Sequence, residues 1–78
     1  MNNTHNIVAG EATSTIEVRA GFVSGSIINL SAENVFVDFA NATITIPPGV
    51  GYNFDVSHQG YPACGIKGVA NVFYTFTY

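Results

Sequence analysis

Asn71-Val72-Phe73-Tyr74-Thr75-Phe76-Thr77-Tyr78 closes the chain with its clearest period of two. Val72, Tyr74, Phe76 and Tyr78 share one parity, and Phe73, Thr75 and Thr77 share the other. Successive side chains of an extended strand point to opposite faces, so this segment reads as a strand with one face committed to a core. Its residue types also set the tone of the rest. β-Branched and aromatic residues dominate from Ala12 onward and strong helix formers are sparse, which favours pleated over helical structure.

The same alternation recurs upstream. Tyr52, Phe54 and Val56 oppose Asn53 and Asp55 between Gly51 and Val56, after Pro47-Pro48-Gly49 removes two ladder donors and ends the preceding strand. In that preceding strand Ala42, Ile44 and Ile46 alternate with Thr43 and Thr45, and Asn41 suits the turn before it. Asn34 to Phe39 puts Val35, Val37 and Phe39 on one face, and Thr13 to Ala20 does the same with Ile16 and Val18. Ser26 to Leu30 reads as a short strand that follows a bend or bulge, where Gly21 and Gly25 bracket Phe22-Val23-Ser24. Ala63 to Val69 is a weaker strand, with Cys64 and Ile66 on its apolar face.

Six or seven short strands separated by Gly, Pro and Asn turns predict an all-β domain over residues 12–78. Its form is a small antiparallel β-sandwich or a jelly-roll or Ig-like barrel, with no significant helix. Residues 1–11 are polar and weakly patterned, and read as a flexible N-terminal arm that either frays or adds as a strand to a neighbour.

Charge is scarce: two basic and five acidic side chains stand beside six Phe and four Tyr in 78 residues. A free monomer of this size normally keeps about a quarter of its residues charged, because its surface must stay wet and repel copies of itself. So small a core also needs a supplement, and the usual ones are disulfides, a structural metal or subunit contacts. One cysteine, Cys64, excludes an internal disulfide, and two distant histidines with one cysteine do not make a zinc site. Subunit contacts remain, and a homo-oligomer, a trimer or larger, is expected.

A net charge of -3 without any basic run excludes nucleic acid as a partner. The N-terminus lacks the positive and apolar regions of a secretion signal, and no window approaches the roughly 18 apolar residues of a membrane span. The expectation is therefore a protein made in the cytoplasm, not secreted and not in a membrane. On that route the three Asn-x-Ser/Thr matches at Asn2, Asn29 and Asn41 have no glycosylation role.

Reactive side chains are few. Asp55, His58, Cys64 and Lys67 fall within one hairpin-sized region. A Cys nucleophile needs a base beside it, but Cys64 shares a strand face with Ile66 and reads as a small buried hydrophobe, and His58 lies among turn formers. Glu17, Glu33, Asp38 and Asp55 read as solvated acids. No catalytic, metal or cofactor site is expected, and the protein is read as a non-enzyme.

Contact residues are more legible. Phe36 and Phe73 fall on the opposite parity from the main apolar faces of their strands, so a simple sandwich leaves them outward on a surface nearly free of charge. With Tyr61 and Tyr78 they make up the expected oligomer or partner interface. A second reading is a small binding module for carbohydrate or protein that uses the 57–62 loop and nearby tyrosines.

The polar arm, the string of Val/Thr/Ile strands, Ile44-Thr45-Ile46-Pro47-Pro48-Gly49 and the closing segment from Gly65 to Tyr78 together resemble small accessory virion proteins of tailed bacteriophages. The resemblance implies a decoration, cement or head-tail accessory role, as an oligomeric β-sandwich attached to the capsid or tail of a virion. It carries no defined motif, so it assigns no binding residues. Residues 1–11 are also a less distinctive arm than such proteins often have.

Overall fold

The computed structural model describes residues 6–68 and 71–78. They form eight strands and no helix: β1 (Ile7–Ala12), β2 (Ile16–Val18), β3 (Ser24–Asn29), β4 (Val35–Phe39), β5 (Ala42–Ile46), β6 (Gly51–Phe54), β7 (Cys64–Lys67) and β8 (Val72–Thr77). Two four-stranded sheets result, β1-β8-β3-β6 and β2-β7-β4-β5, with every described pair antiparallel. Apart from the β4–β5 hairpin, each connection crosses from one sheet to the other, which is jelly-roll connectivity.

Alternation explains the packing. Val35 and Val37 of β4, Ile66 of β7, Ile27 of β3, and Val72 and Phe76 of β8 are fully or almost fully buried, and each lies on the apolar parity of its strand. Phe36 and Phe73 point outward at 38% and 39% exposure. The two inner faces close on each other because each sheet alone would leave one apolar face in water.

The expected six or seven strands are eight, and the difference lies in the arm. Residues 7–11 belong to β1, which pairs with β8 from Ile7↔Thr77 to Ala12↔Val72. Ala9-Gly10-Glu11 has little strand propensity of its own. It is held by the outward hydrogen-bonding edge of β8, and Gly10 lets Tyr74 lie close, since a Cβ there would stand 3.4 Å from the Tyr74 Oη. Residues 1–5 of the expected arm, and Val69 at the end of the strand expected over residues 63–69, lie outside the described residues.

The segment read as a bend holds the centre of the core. Phe22 is fully buried, and its ring lies 4.9 Å from Phe76, 5.0 Å from Tyr61 and 5.4 Å from Phe54. Backbone bonds clamp it on both sides: Gly21 N–H donates to the Tyr61 carbonyl, Tyr61 N–H to the Phe22 carbonyl, and Val23 N–H to the Thr77 carbonyl. Gly25 makes room for this cluster. A Cβ at Gly25 would meet the Phe76 ring at 2.6 Å and the Thr75 carbonyl at 2.8 Å.

Asn29 is the buried polar residue of the core, and its side chain is fully engaged. Its Nδ2 donates to the carbonyls of Glu33 and Ile46, and its Oδ1 accepts from the Ser31 N–H and hydroxyl. One side chain thus ties the end of β3 to the following turn and to the end of β5. A buried amide used in this way has no room for a glycan.

Gly25→Ala should lower stability by about 1–3 kcal/mol, the usual cost of forcing an extra methyl into a filled core. Urea denaturation measures this directly, and a wild-type midpoint would show that Phe76 does not need the space.

Candidate interaction surfaces

Of the reactive side chains, Cys64 and Lys67 line one shallow depression with Glu17 and Asp38, and His58 and Asp55 do not line it. Cys64 pairs with Val18 on the inner parity of β7 and is 4% exposed. Burial, and secondarily the nearby charge of Glu17, push its thiol up to about 11, away from the thiolate that nucleophilic chemistry needs. His58 sits in an exposed turn of the β6–β7 connection, which Gly60 closes with φ of 80°. Lys67 lies on the outer face of the β2-β7-β4-β5 sheet, where its Nζ donates to Asp38 Oδ2 at 2.9 Å.

Asp38 also accepts from the Thr43 hydroxyl at 2.9 Å. The Lys67 hydrogen bond, followed by that from Thr43, holds its carboxyl below the ordinary carboxylate range, while Asp38 in turn raises Lys67. A lowered carboxyl favours the fold above its unfolded value and loses that contribution as pH falls through the folded one. The raised amine contributes below its unfolded value and is lost on the alkaline side. Both groups are exposed, so the pair orders a surface and does little for the core. Among the described residues no three His, Cys, Asp or Glu side chains gather closely enough to hold a metal ion.

The two broad outer faces differ in chemistry. The face of the β2-β7-β4-β5 sheet carries Glu17, Asp38 and Lys67. Phe36 lies between Thr45 and Lys67 on this face and shields the turn after β7: a Cβ at Gly68, which has φ of +70°, would stand 3.2 Å from the Phe36 ring.

The outer face of the β1-β8-β3-β6 sheet is nearly uncharged. Glu11, Phe73, Ile28 and Gly51 cross one end of it, and Ala9, Thr75, Ser26 and Asn53 cross the middle. Leu30 and Val50 border the Phe73 end. Leu30 N–H donates to the Asn71 carbonyl, and the Val50 carbonyl accepts from Asn29 N–H. Ile28 and Phe73 are exposed neighbours on this face, Leu30 and Val50 are exposed in the turns just beyond it, and the outward charge of its strands is Glu11.

The four residues expected to make one interface are dispersed. Phe36 and Phe73 lie on opposite broad faces, while Tyr61 and Tyr78 are half-buried around Phe22. The Tyr61 hydroxyl donates to the Asp55 carbonyl at 2.6 Å, and its ring stacks on Phe22. Tyr78 donates to the Arg19 carbonyl at 2.7 Å, with the Arg19 guanidinium 4.6 Å from its ring centre. Ile28 joins Phe73 instead. Its signal was present in the sequence as the second of two adjacent isoleucines, one of which must face outward from any strand.

Two clefts open along the sides of the sandwich. One, of about 300 Å³, lies between the edges of β5 and β6, where Phe39, Tyr52 and Tyr61 meet Asn41, Asn53 and Asp55. The other, of about 240 Å³, lies between β1 and β2 and is lined by Val8, Ile16, Tyr74 and Tyr78. It exists because β2 has three residues against the six of β1 and leaves half of the strand's inner side uncovered.

Among solved structures, a de novo designed double-stranded β-helix determined by solution NMR matches this fold with a TM-score of 0.52. The match covers 97% of this chain and 100% of the designed one at 12% sequence identity. The likeness is one of fold alone. No protein-family model matches the sequence, and no curated protein matches it.

The buried thiol gives a direct check. At pH 8 a value of about 11 in place of 9.0 lowers the thiolate fraction roughly 100-fold, so Ellman's reagent should label native Cys64 at least ~100 times more slowly than the urea-unfolded chain. Labelling at the unfolded rate would place the thiol in solvent.

Proposed function

We propose that this chain is a non-enzymatic structural protein that oligomerises and attaches to a larger protein assembly, as a virion accessory protein of the decoration or cement kind. The observation that carries the reading is the outer face of the β1-β8-β3-β6 sheet, where Phe73 and Ile28 stand exposed side by side on a nearly uncharged surface, with exposed Leu30 and Val50 in the turns beyond its end. Contact surfaces of stable assemblies are depleted in charge at their centres, and the strands of this face carry one outward charge, Glu11, where those of the opposite face carry Glu17, Asp38 and Lys67. Net charge supports the same choice. Every copy carries -3, so copies meet most easily where acids are fewest. Jelly rolls occur in capsid proteins and also in lectins and cupins, so the fold permits the virion role by analogy only.

A binding-module reading has its own observation in the aromatic cleft between β5 and β6. Tyr61 and Pro62 of the 57–62 loop line it together with Tyr52, with Asn41, Asn53 and Asp55 at hand as polar partners. Aromatic rings beside amide and carboxylate groups suit the apolar faces and hydroxyls of a sugar.

Phe73→Asp should leave the far-ultraviolet spectrum and the unfolding midpoint close to wild type, because the side chain faces out, and should reduce the assembled mass seen by light scattering. Unchanged assembly with an intact fold would remove the apolar face from the contact. For the second reading, Tyr52→Ala should abolish retention on a glycan array without changing the mass, and an array with no wild-type signal would dismiss it.

A further inference from the structure

Four strands form the sheet edges, and they are not equally protected. β2 is three residues long and is followed by Arg19, β5 runs into Pro47-Pro48, and β6 has four residues. β1 has six, with no proline, no basic side chain and one charge, Glu11. Natural sheets usually blunt such an edge, because its free N–H and C=O groups are a template for another strand.

The hydrogen-bond phase shows which groups are free. The Asn6 carbonyl accepts from Tyr78 N–H, and the register continues as Ile7↔Thr77 and Val8↔Phe76. Antiparallel alternation then turns the backbone groups of Val8, Gly10 and Ala12 to β8, and those of Ile7, Ala9 and Glu11 to the open edge.

We infer that β1 pairs antiparallel with β1 of a second copy of this chain about a two-fold axis at Ala9, joining two four-stranded sheets into one. This deepens the assembly reading and rests on it. In this register Ile7 lies opposite Glu11 of the other copy and Ala9 opposite Ala9, so all the free groups of β1 exchange bonds in hydrogen-bonded pairs. The two Glu11 carboxylates stand about 14 Å apart along the strand, beyond the roughly 8 Å over which charges act at physiological salt.

The inner side fits as well. Val8, 45% exposed, lies opposite Gly10 of the other copy, where it meets the Tyr74 ring that lies over that glycine. Its methyl groups then cover the cleft that the short β2 leaves open. A self-pairing strand suits this edge better than a foreign one, because its large and small residues, Val8 and Gly10, complement each other under the two-fold.

Amide hydrogen exchange of the full chain, followed by NMR beside light scattering over a dilution series, tests the pairing. Val8, Gly10 and Ala12 should be protected at every concentration, and Ile7, Ala9 and Glu11 should slow by about 100-fold or more only where the mass has at least doubled. Ala9→Pro removes an N–H that β8 does not use, so it should halve the mass of the paired species while the unfolding midpoint at low concentration stays near wild type. In a Phe73→Asp background the pair should persist. Fast exchange at Ile7, Ala9 and Glu11 in an assembled sample, or an unchanged mass for Ala9→Pro, overturns this pairing and leaves the assembly reading standing. A monomer throughout the series overturns both and leaves the edge to a strand of another protein.

Discussion

The packing of Phe22 against Phe54, Tyr61 and Phe76 is the contact on which the rest of this jelly roll depends. Phe22 belongs to neither sheet. It enters from the connection between β2 and β3 and places one ring between strands that are far apart in sequence. Large rings meeting edge-on or stacked bury much area for few ordered residues, which matters in a chain with so small an interior. Gly25 is part of the same contact, since the Phe76 ring occupies the space where its side chain would be.

At the other end, Asn29 does with hydrogen bonds what Phe22 does with rings. Its amide satisfies the carbonyls of Glu33 and Ile46 and accepts from Ser31, so the crossing from β3 to β4 and the exit from β5 are fixed by one buried side chain. A buried polar group is favourable only when its partners are all present, so this end of the fold is specified by geometry and not by area alone. Exposed Phe73 and Ile28, with Glu11 beside Phe73 and Leu30 and Val50 in the adjoining turns, lie at this same end. The hydrogen bonds of Asn29 thus fix the backbone that carries these exposed side chains.

The two outer faces divide the labour. One holds Glu17, Asp38 and Lys67 and stays wet; the other is left to small polar and apolar side chains. With so few charges in the chain, placing three of them on one outer face and one, Glu11, on the other is enough to make the two faces differ. The β1 edge borders that weakly charged face, so pairing there would join two copies of it into one broader surface.

Much of this was legible in the residue pattern. Period-two alternation in β4, β5 and β8, the proline stop after Ile46, and the outward parity of Phe36 and Phe73 are local properties, and local sterics decide them. Nothing local marked Phe22 as the centre of the core, because it lies between glycines and has no alternating neighbours. The pairing of Ala9-Gly10-Glu11 was equally hidden, since it comes from the unpaired edge of β8, 60 and more residues away in the chain. The same holds for the dispersal of Phe36, Phe73, Tyr61 and Tyr78. Parity tells which side of a strand a residue takes, but which sheet the strand joins, and what lies across from it, is set only when distant strands meet.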